Sequence, residues 1–303
     1  GCRALLTRGS MSLGQEQGGL PPESVVQSEE TILKDSERVI DAYHERGDGA
    51  MVQIALAPCS PFSVTQSLMK ETAALAKEKD VLLHTHLAET EDENSFCERE
   101  YGQRPLDYLE SCDWLNERTW LAHGIHFTAQ EMQRLGRADV GIAHCPSSNM
   151  LLGSGICPSL DLVAAGCRFG LAVDGSASND SSNMIQEARQ SLLQQRLRYS
   201  PADITAEVVL GWATKGSASL LRRDDIGEIA RGKQADFAIF DLNELRFSGA
   251  GDPVAALVAC GAHRAERLMV GGQWLVEGGA HRDYLERELM QRHGKLAKKL
   301  QNA

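Results

Sequence analysis

The sequence predicts an α/β fold of the parallel-barrel kind, and three observations predict it. Short apolar runs alternate with amphipathic stretches in a βα rhythm as far as about residue 225. Three of these runs end in side chains that bind metal or move protons. Val81-Leu82-Leu83 leads into His84-Thr85-His86, Leu121-Ala122 into His123-Gly124, and Leu171-Ala172-Val173 into Asp174-Gly175. Parallel strands buried on both faces read as continuous apolar runs, and α/β barrels carry their chemistry at strand C-terminal ends. Glycine directly after His123 and Asp174 lets the chain turn tightly over a barrel mouth.

Residues 3–7 read as the first strand, followed by a long polar loop, Arg8-Gly9-Ser10-Met11-Ser12-Leu13-Gly14, that runs on to Gly18-Gly19-Leu20-Pro21-Pro22. Long ordered loops in that position are usually functional. A helical pattern covers 29–45, and a second strand covers 52–57. The loop after it, Ala57-Pro58-Cys59-Ser60-Pro61-Phe62, is stiffened by two prolines. A helical pattern over 66–78 precedes the third strand, 81–86. Its period of two puts His84 and His86 on one face, with Glu89 just past the strand end. Strands at 120–123 and 140–144 flank a helical pattern at 129–135. The turn at 146–149 is expected to shape the mouth together with His144. A sixth strand, 169–174, precedes a helical pattern at 182–198.

From about residue 226 the rhythm gives way to glycine-punctuated β segments. Turns at 227–233, a strand at 235–240 and a hairpin at 267–276 around Gly271-Gly272 precede a charged helix over 281–300. The chain therefore divides into 1–225, a barrel portion, and 226–303, a small β portion with a terminal helix.

The composition, 42% hydrophobic and 24% charged, is that of an ordinary globular chain. The net charge of −11 argues against binding a nucleic-acid backbone, which needs clustered basic residues. No apolar stretch reaches the roughly 18–20 residues that span a bilayer, and no signal-peptide pattern opens the sequence. The eight cysteines form no CxxC pair, so reduced thiols and a cytoplasmic location are expected.

His86-Leu87-Ala88-Glu89, Ala122-His123-Gly124, His144-Cys145-Pro146-Ser147-Ser148-Asn149 and Val173-Asp174-Gly175-Ser176 together resemble the amidohydrolase superfamily, in its nucleobase and triazine deaminase branch. Gly232-Lys233-Gln234-Ala235-Asp236 is similar to the strand closing that family's small domain. The resemblance implies a (β/α)8 TIM-type barrel with a small β-sandwich. Matched in order, the chain starts at the third barrel strand, so the first two strands and their HxH metal pair are expected to lie outside it. A rival reading makes His84-Thr85-His86 that pair; the Leu87-Ala88-Glu89 that follows and the two βα units before it argue otherwise.

The resemblance further implies one Zn2+ per site, with Fe2+ or Mn2+ as alternatives. His86 and Asp174 would be ligands, completed by the missing pair, and Asp174 would also take a proton from the attacking water. Glu89 is implied as the acid/base that meets the substrate. His123 would hydrogen-bond the hydroxide or the tetrahedral intermediate, or approach the metal. Arg8 and Cys59 end the first two strands, where they would meet a base edge; a salt-bridged Arg8 and a packed Cys59 are the plainer alternatives. His84 is expected to be a satisfied core histidine, and His126 is assigned no role. The substrate implied is a small nucleobase or s-triazine, with no nucleic-acid or membrane partner and with self-association. The first long loop resembles members that convert 8-oxoguanine to urate and ammonia; hydroxylated triazines, guanine and isocytosine are sibling substrates. An inactive truncated fragment is the alternative of another class.

Overall fold

The structure is a computed structural model and describes residues 1–262 and 264–302. The six expected strands form one parallel sheet: β1 (Ala4–Ser10), β2 (Val52–Pro58), β3 (Leu82–Leu87), β4 (Thr119–His123), β5 (Gly141–His144) and β6 (Arg168–Leu171). They lie side by side in chain order, each paired in parallel with the next. Sequential parallel pairing needs a crossover after every strand, and helices supply it. The crossovers are α1 (Glu29–Tyr43), α2 (Gln66–Lys79), α3 (Glu91–Tyr101), α4 (Pro105–Ser111), α5 (Ala129–Arg137), α6 (Pro146–Leu151) and α7 (Ser159–Ala164), and α8 (Met184–Gln195), α9 (Ala206–Gly211) and α10 (Ser217–Leu220) follow β6.

Local chemistry sets the helix starts. Ser28 and Thr65 cap α1 and α2 by accepting from the amides of Thr31 and Leu68. Thr128 and Glu131 form a reciprocal capping box on α5. Each helix then buries one stripe: α1 buries Ile32, Ser36 and Ile40, and α2 buries Leu68, Met69, Thr72, Ala73 and Ala76. The core lies between these stripes and the outer face of the sheet, where Leu56, Leu83, Leu87, Leu121 and Ile142 are buried. Truncating one such leucine to alanine costs about 2–5 kcal/mol. On the opposite face Ala55, Trp120, Ala143 and Leu220 form a smaller cluster beneath the site.

The sixth strand stops at Leu171, so Asp174 stands three residues beyond it rather than on it. Between α9 and α10 the helix loosens into a π turn, Trp212–Gly216. This segment lies directly on β6. A Cβ on Gly216 would stand 2.3 Å from the Phe169 carbonyl oxygen, so only glycine permits the approach.

The C-terminal region carries β7 (Phe237–Ile239), β8 (Arg267–Val270), β9 (Gln273–Glu277) and β10 (Ala280–His281) in one antiparallel sheet, ordered β10-β9-β8-β7. The small β portion is thus present, and among the described residues it is a single sheet. The expected hairpin turns on Gly271 and Gly272, both with positive φ (55° and 77°). A helix the sequence did not signal, α11 (Pro253–Cys260), packs against α8 and α9. The last helix, α12 (Glu286–Gln301), buries none of its residues. Among the described residues no helix is long and apolar enough to cross a membrane.

Candidate active site

The C-terminal ends of β3 and β4 and the loop after β6 converge. Donor atoms of His86, His123 and Asp174 all lie within 4.8 Å of one another. The chain reaches this arrangement through three left-handed corners: φ is +54° at Ala88, +71° at His123 and +62° at Asp174. Such values are unfavourable for side-chain-bearing residues and persist where surrounding bonds over-determine them. At the first corner the buried carboxylate of Glu93 accepts from the Ala88 and Glu89 amides at 2.8 and 3.4 Å. Burial pushes Glu93 up to about 7.

Each histidine presents one nitrogen and has the other tied. His86 Nδ1 lies 2.6 Å from the Cys59 carbonyl, which can only accept, so Nδ1 carries the proton of that bond. His123 Nδ1 bonds the side-chain oxygen of Asn149 at 2.9 Å. In both rings Nε2 is the atom left for the centre, the arrangement that fixes a metal-binding imidazole. Burial penalises charge on His86, but the Cys59 thiol and carbonyl and the Glu89 carboxylate outweigh it and push the ring up to about 9. The two rings stack with centroids 5.4 Å apart.

Asp174 is oriented by hydroxyls. Ser148 Oγ and Ser178 Oγ donate to its Oδ2 at 2.6 and 3.1 Å. Burial opposes its ionisation, yet the Ser148 bond, the Gly175 amide, His123 and Ser178 hold it below the usual carboxylate range. Asn179 braces the loop by donating to the Val173 carbonyl and to buried Glu187, both at 2.7 Å. Glu89, half-buried, has its Oε2 3.5 Å from His123 Nε2, and the same nitrogen is 4.0 Å from Asp174.

His86 and Asp174 border a cavity of about 490 Å³ lined also by His84, Thr7, Cys59 and Gln27, among others. Cys59 is thus where the sequence places it, at the pocket wall. Arg8 is not. Thr7 and Gly9 line the cavity, so strand alternation turns Arg8 to the outer face. There its Nε donates to Asp35 on α1 at 2.8 Å, and its Nη2 to the Gln27 side-chain oxygen at 2.9 Å. The expectation that Arg8 itself meets the substrate does not match this placement. His84 bonds the Trp120 carbonyl at 3.0 Å and stacks on that indole, and burial pushes it down to about 3. His144 is fully buried against Gln195, and His126 lies between Ser154 and Glu91, outside the cluster.

Ser148, Asn149, Ser178 and Gln27 escape a sequence reading. Ser148 and Asn149 carried a signal, because Pro146 in the first turn starts a helix straight after β5 and so aims them inward. Gln27 carried none, since its partner is nineteen residues away.

The sequence profile of the amidohydrolase family matches residues 1–275. The chain is 65% identical over 280 residues to the 8-oxoguanine deaminase of Pseudomonas aeruginosa, covering 92% of this chain and 62% of that protein. It is 36% identical over 262 residues to the hydroxydechloroatrazine ethylaminohydrolase of Pseudomonas sp. strain ADP, covering 86% of this chain and 54% of the other. A crystal structure of a mutant atrazine chlorohydrolase from Arthrobacter aurescens TC1, complexed with zinc and atraton, superposes with a TM-score of 0.93 at 31% identity, covering 97% of this chain and 66% of that one. An adenosine deaminase from Xanthomonas campestris with bound zinc gives 0.91 at 25% identity, covering 99% and 67%. The chain spans about three-fifths of the length of the curated relatives it matches.

Proposed function

The chain belongs to the amidohydrolase family, and from that premise we propose that the protein it represents is a zinc-dependent aminohydrolase. Its reaction is replacement of the exocyclic amino group of a nucleobase by water, with 8-oxoguanine as substrate and urate and ammonia as products. The observation that carries this reading is the meeting of His86, His123 and Asp174 within 4.8 Å, with Glu89 3.5 Å from His123. The substrate rests on the 65% identity to an 8-oxoguanine deaminase.

The donor set fits zinc, which takes imidazole nitrogen and carboxylate oxygen in small coordination numbers. His86 and Asp174 would hold the ion, with His123 beside it and the expected HxH pair completing the set. When bound, zinc supplies the Lewis acidity that makes water nucleophilic near neutral pH. Asp174, held ionised by its two serine donors, accepts a proton from that water at Oδ2. His123 Nε2 faces the same space and hydrogen-bonds the oxygen that adds to the amino-bearing carbon. Glu89 gives its proton to the adjacent ring nitrogen, then takes the remaining hydroxyl proton of the adduct and passes it to the departing amine, so that the C–N bond breaks as a C=O bond forms, and the proton held on Asp174 restores Glu89. A glutamate that shuttles protons without binding metal is the same logic that zinc nucleobase deaminases use on another fold.

Cys59 meets the base edge from the pocket wall, and Arg8 acts from behind it. We place the boundary between barrel and small domain near residue 225, between the last parallel strand, which ends at Leu171, and the first antiparallel one, which starts at Phe237. A cytoplasmic, self-associating protein completes the reading, on the resemblance and on eight unpaired cysteines.

The test is urate formation from 8-oxoguanine, followed by ultraviolet absorbance, with the full-length zinc-loaded protein. Turnover is expected. A folded, zinc-containing protein that deaminates no nucleobase would overturn the reading. Turnover of a hydroxylated s-triazine instead would favour the second reading, which the 36% identity to a triazine aminohydrolase supports.

A further inference from the structure

The loop after β1 returns to its own start. The Gln27 amide donates to the Met11 carbonyl at 3.0 Å, closing residues 11–27 into a compact excursion whose two ends, with Val25, line the cavity. Ser12 and Leu13 donate to the Ser63 carbonyl at 2.9 and 3.1 Å, and Leu20 to the Phe62 carbonyl at 3.1 Å. The excursion is therefore fastened to the loop after β2. Its tight return needs glycine, since a Cβ on Gly19 would stand 2.2 Å from the Leu13 carbonyl oxygen. Gln27 thus has a fixed backbone at the pocket rim.

Its side chain, exposed at the rim, meets a group that decides which end of the amide faces it. A guanidinium only donates, so the atom of Gln27 that meets Arg8 Nη2 at 2.9 Å must be the amide oxygen. Arg8 is in turn held by Asp35, at 2.8 Å, and by the Gly9 carbonyl. Asp35 is itself braced by Arg38 at 2.6 Å. The Gln27 NH2 group, two donors, is left pointing away from Arg8, and among the described residues it makes no hydrogen bond. Gln27 lines the same cavity as His84, His86 and Asp174.

We propose that Gln27 is a specificity-determining residue whose Nε2 donates to a hydrogen-bond acceptor of the substrate, and that Arg8 is a positioning residue that sets the direction of that donor. The ligand class is a planar heterocycle bearing a carbonyl oxygen or an unprotonated ring nitrogen. This rests on the aminohydrolase reading for the identity of the pocket. It also gives the outward-facing arginine a purpose: it selects which end of an amide the pocket meets. A site that hydrogen-bonds its substrate discriminates strongly against analogues lacking the matching group, because its own polar atom is then left unpaired.

Full-length zinc-loaded protein carrying Gln27→Leu, Gln27→Glu, Arg8→Met or the Gln27→Leu/Arg8→Met pair tests this. Gln27→Glu keeps a partner for Arg8 and removes both donors, so it reports on the donor even if the leucine variant folds poorly. Both Gln27 variants are expected to raise KM for 8-oxoguanine about tenfold and change kcat by less than about twofold. An analogue lacking the carbonyl should bind equally to wild type and both variants. Arg8→Met should raise KM less, and add nothing in the Gln27→Leu background, the signature of two residues acting through one contact. Equilibrium binding of urate by calorimetry should weaken by the same factor and needs no turnover. Unchanged KM and unchanged urate binding in both Gln27 variants would overturn the proposal, as would an equal loss on the analogue lacking the acceptor. If the wild type deaminates nothing, the aminohydrolase reading fails, and calorimetry with 8-oxoguanine still decides the role of Gln27.

Discussion

The two ends of the parallel sheet solve the same problem in opposite ways. At the N-terminal end, Arg168 opens β6 and is largely buried. Its five donors meet five carbonyls: Asp139 at 2.9 Å, Ser219 at 2.7 Å, Leu220 at 3.0 Å, Glu117 at 2.8 Å and Thr119 at 3.1 Å. Close by, Arg223 and Asp225 are both buried and form a two-pronged pair at 2.6 and 2.8 Å. That pairing holds the Asp225 carboxyl far below its usual range. At the C-terminal end, His86 and His123 each have one nitrogen bonded and the other left beside Asp174. Polar groups that are saturated hold a fold together, whereas those satisfied on one side only are kept in place for something else. In a parallel α/β barrel the second kind gathers where the strands end.

The contrast can be broken from either side. The largest effect is expected from Glu89→Gln. It should lower kcat about 10²–10⁴-fold, with the thermal unfolding midpoint unmoved; equal turnover in steady-state assays would remove Glu89 from the proton path. Next come the groups around Asp174. Asp174→Asn should strip zinc, and Ser148→Ala should weaken zinc binding about tenfold by releasing one side of the carboxylate. Competition against a chelating dye reads both, and full metal retention in Asp174→Asn would exclude it as a ligand.

At the opposite end the pattern should invert. Arg168→Met orphans carbonyls and is expected to cost about 3 kcal/mol of stability while zinc affinity in the folded protein stays as it was. Urea unfolding and the same dye assay measure the two, and a loss of metal without a loss of stability would erase the distinction. The smallest effect is in pH. Burial, with a lesser contribution from His123, pushes His144 down to about 3, whereas an unfolded histidine titrates near 6.5. Between those values the unfolded chain binds the extra proton, so this contribution to stability declines as pH falls from about 6.5 towards 3. His144→Gln should make the loss from pH 7 to pH 5 shallower, and an unchanged slope would mean that His144 is charged in the fold.

Much of this was legible in the residues. The six strands announce themselves because strands buried on both faces are apolar throughout. His86, His123 and Asp174 stand out because a polar residue ending such a run is hard to explain otherwise. The helices α3, α4 and α7 were harder. Glu91–Tyr101 reads Glu-Asp-Glu-Asn-Ser-Phe-Cys-Glu-Arg-Glu-Tyr and buries only Glu93, Phe96 and Cys97. So thin a stripe falls below what periodicity detects. Arg8 was left open between a base-edge contact and a salt bridge for a different reason. Alternation along β1 already separates it from Thr7 and Gly9, but a basic residue at a strand end draws attention to its charge before its face. What remained hidden, the bonds by which Ser148 and Asn149 hold Asp174 and His123 and the Gln27 contact, depends on pairs distant in sequence; Pro146 cues a helix after β5 but not the partners that its side chains meet.

The left-handed corners at Ala88, His123 and Asp174 have a consequence for how such a protein changes over time. Each corner stands at or just past the end of a strand and is pinned by a side chain from another part of the chain, Glu93, Asn149 or Ser148. The 11–27 excursion at the end of β1, which among the described residues makes no hydrogen bond to a corner, can therefore lengthen, shorten or diversify while the corner residues keep their aim, whereas the loop after Asp174 is held to it through Ser178 and Asn179. Descendants of one such scaffold can change their clientele by editing rims and inherit the chemistry intact.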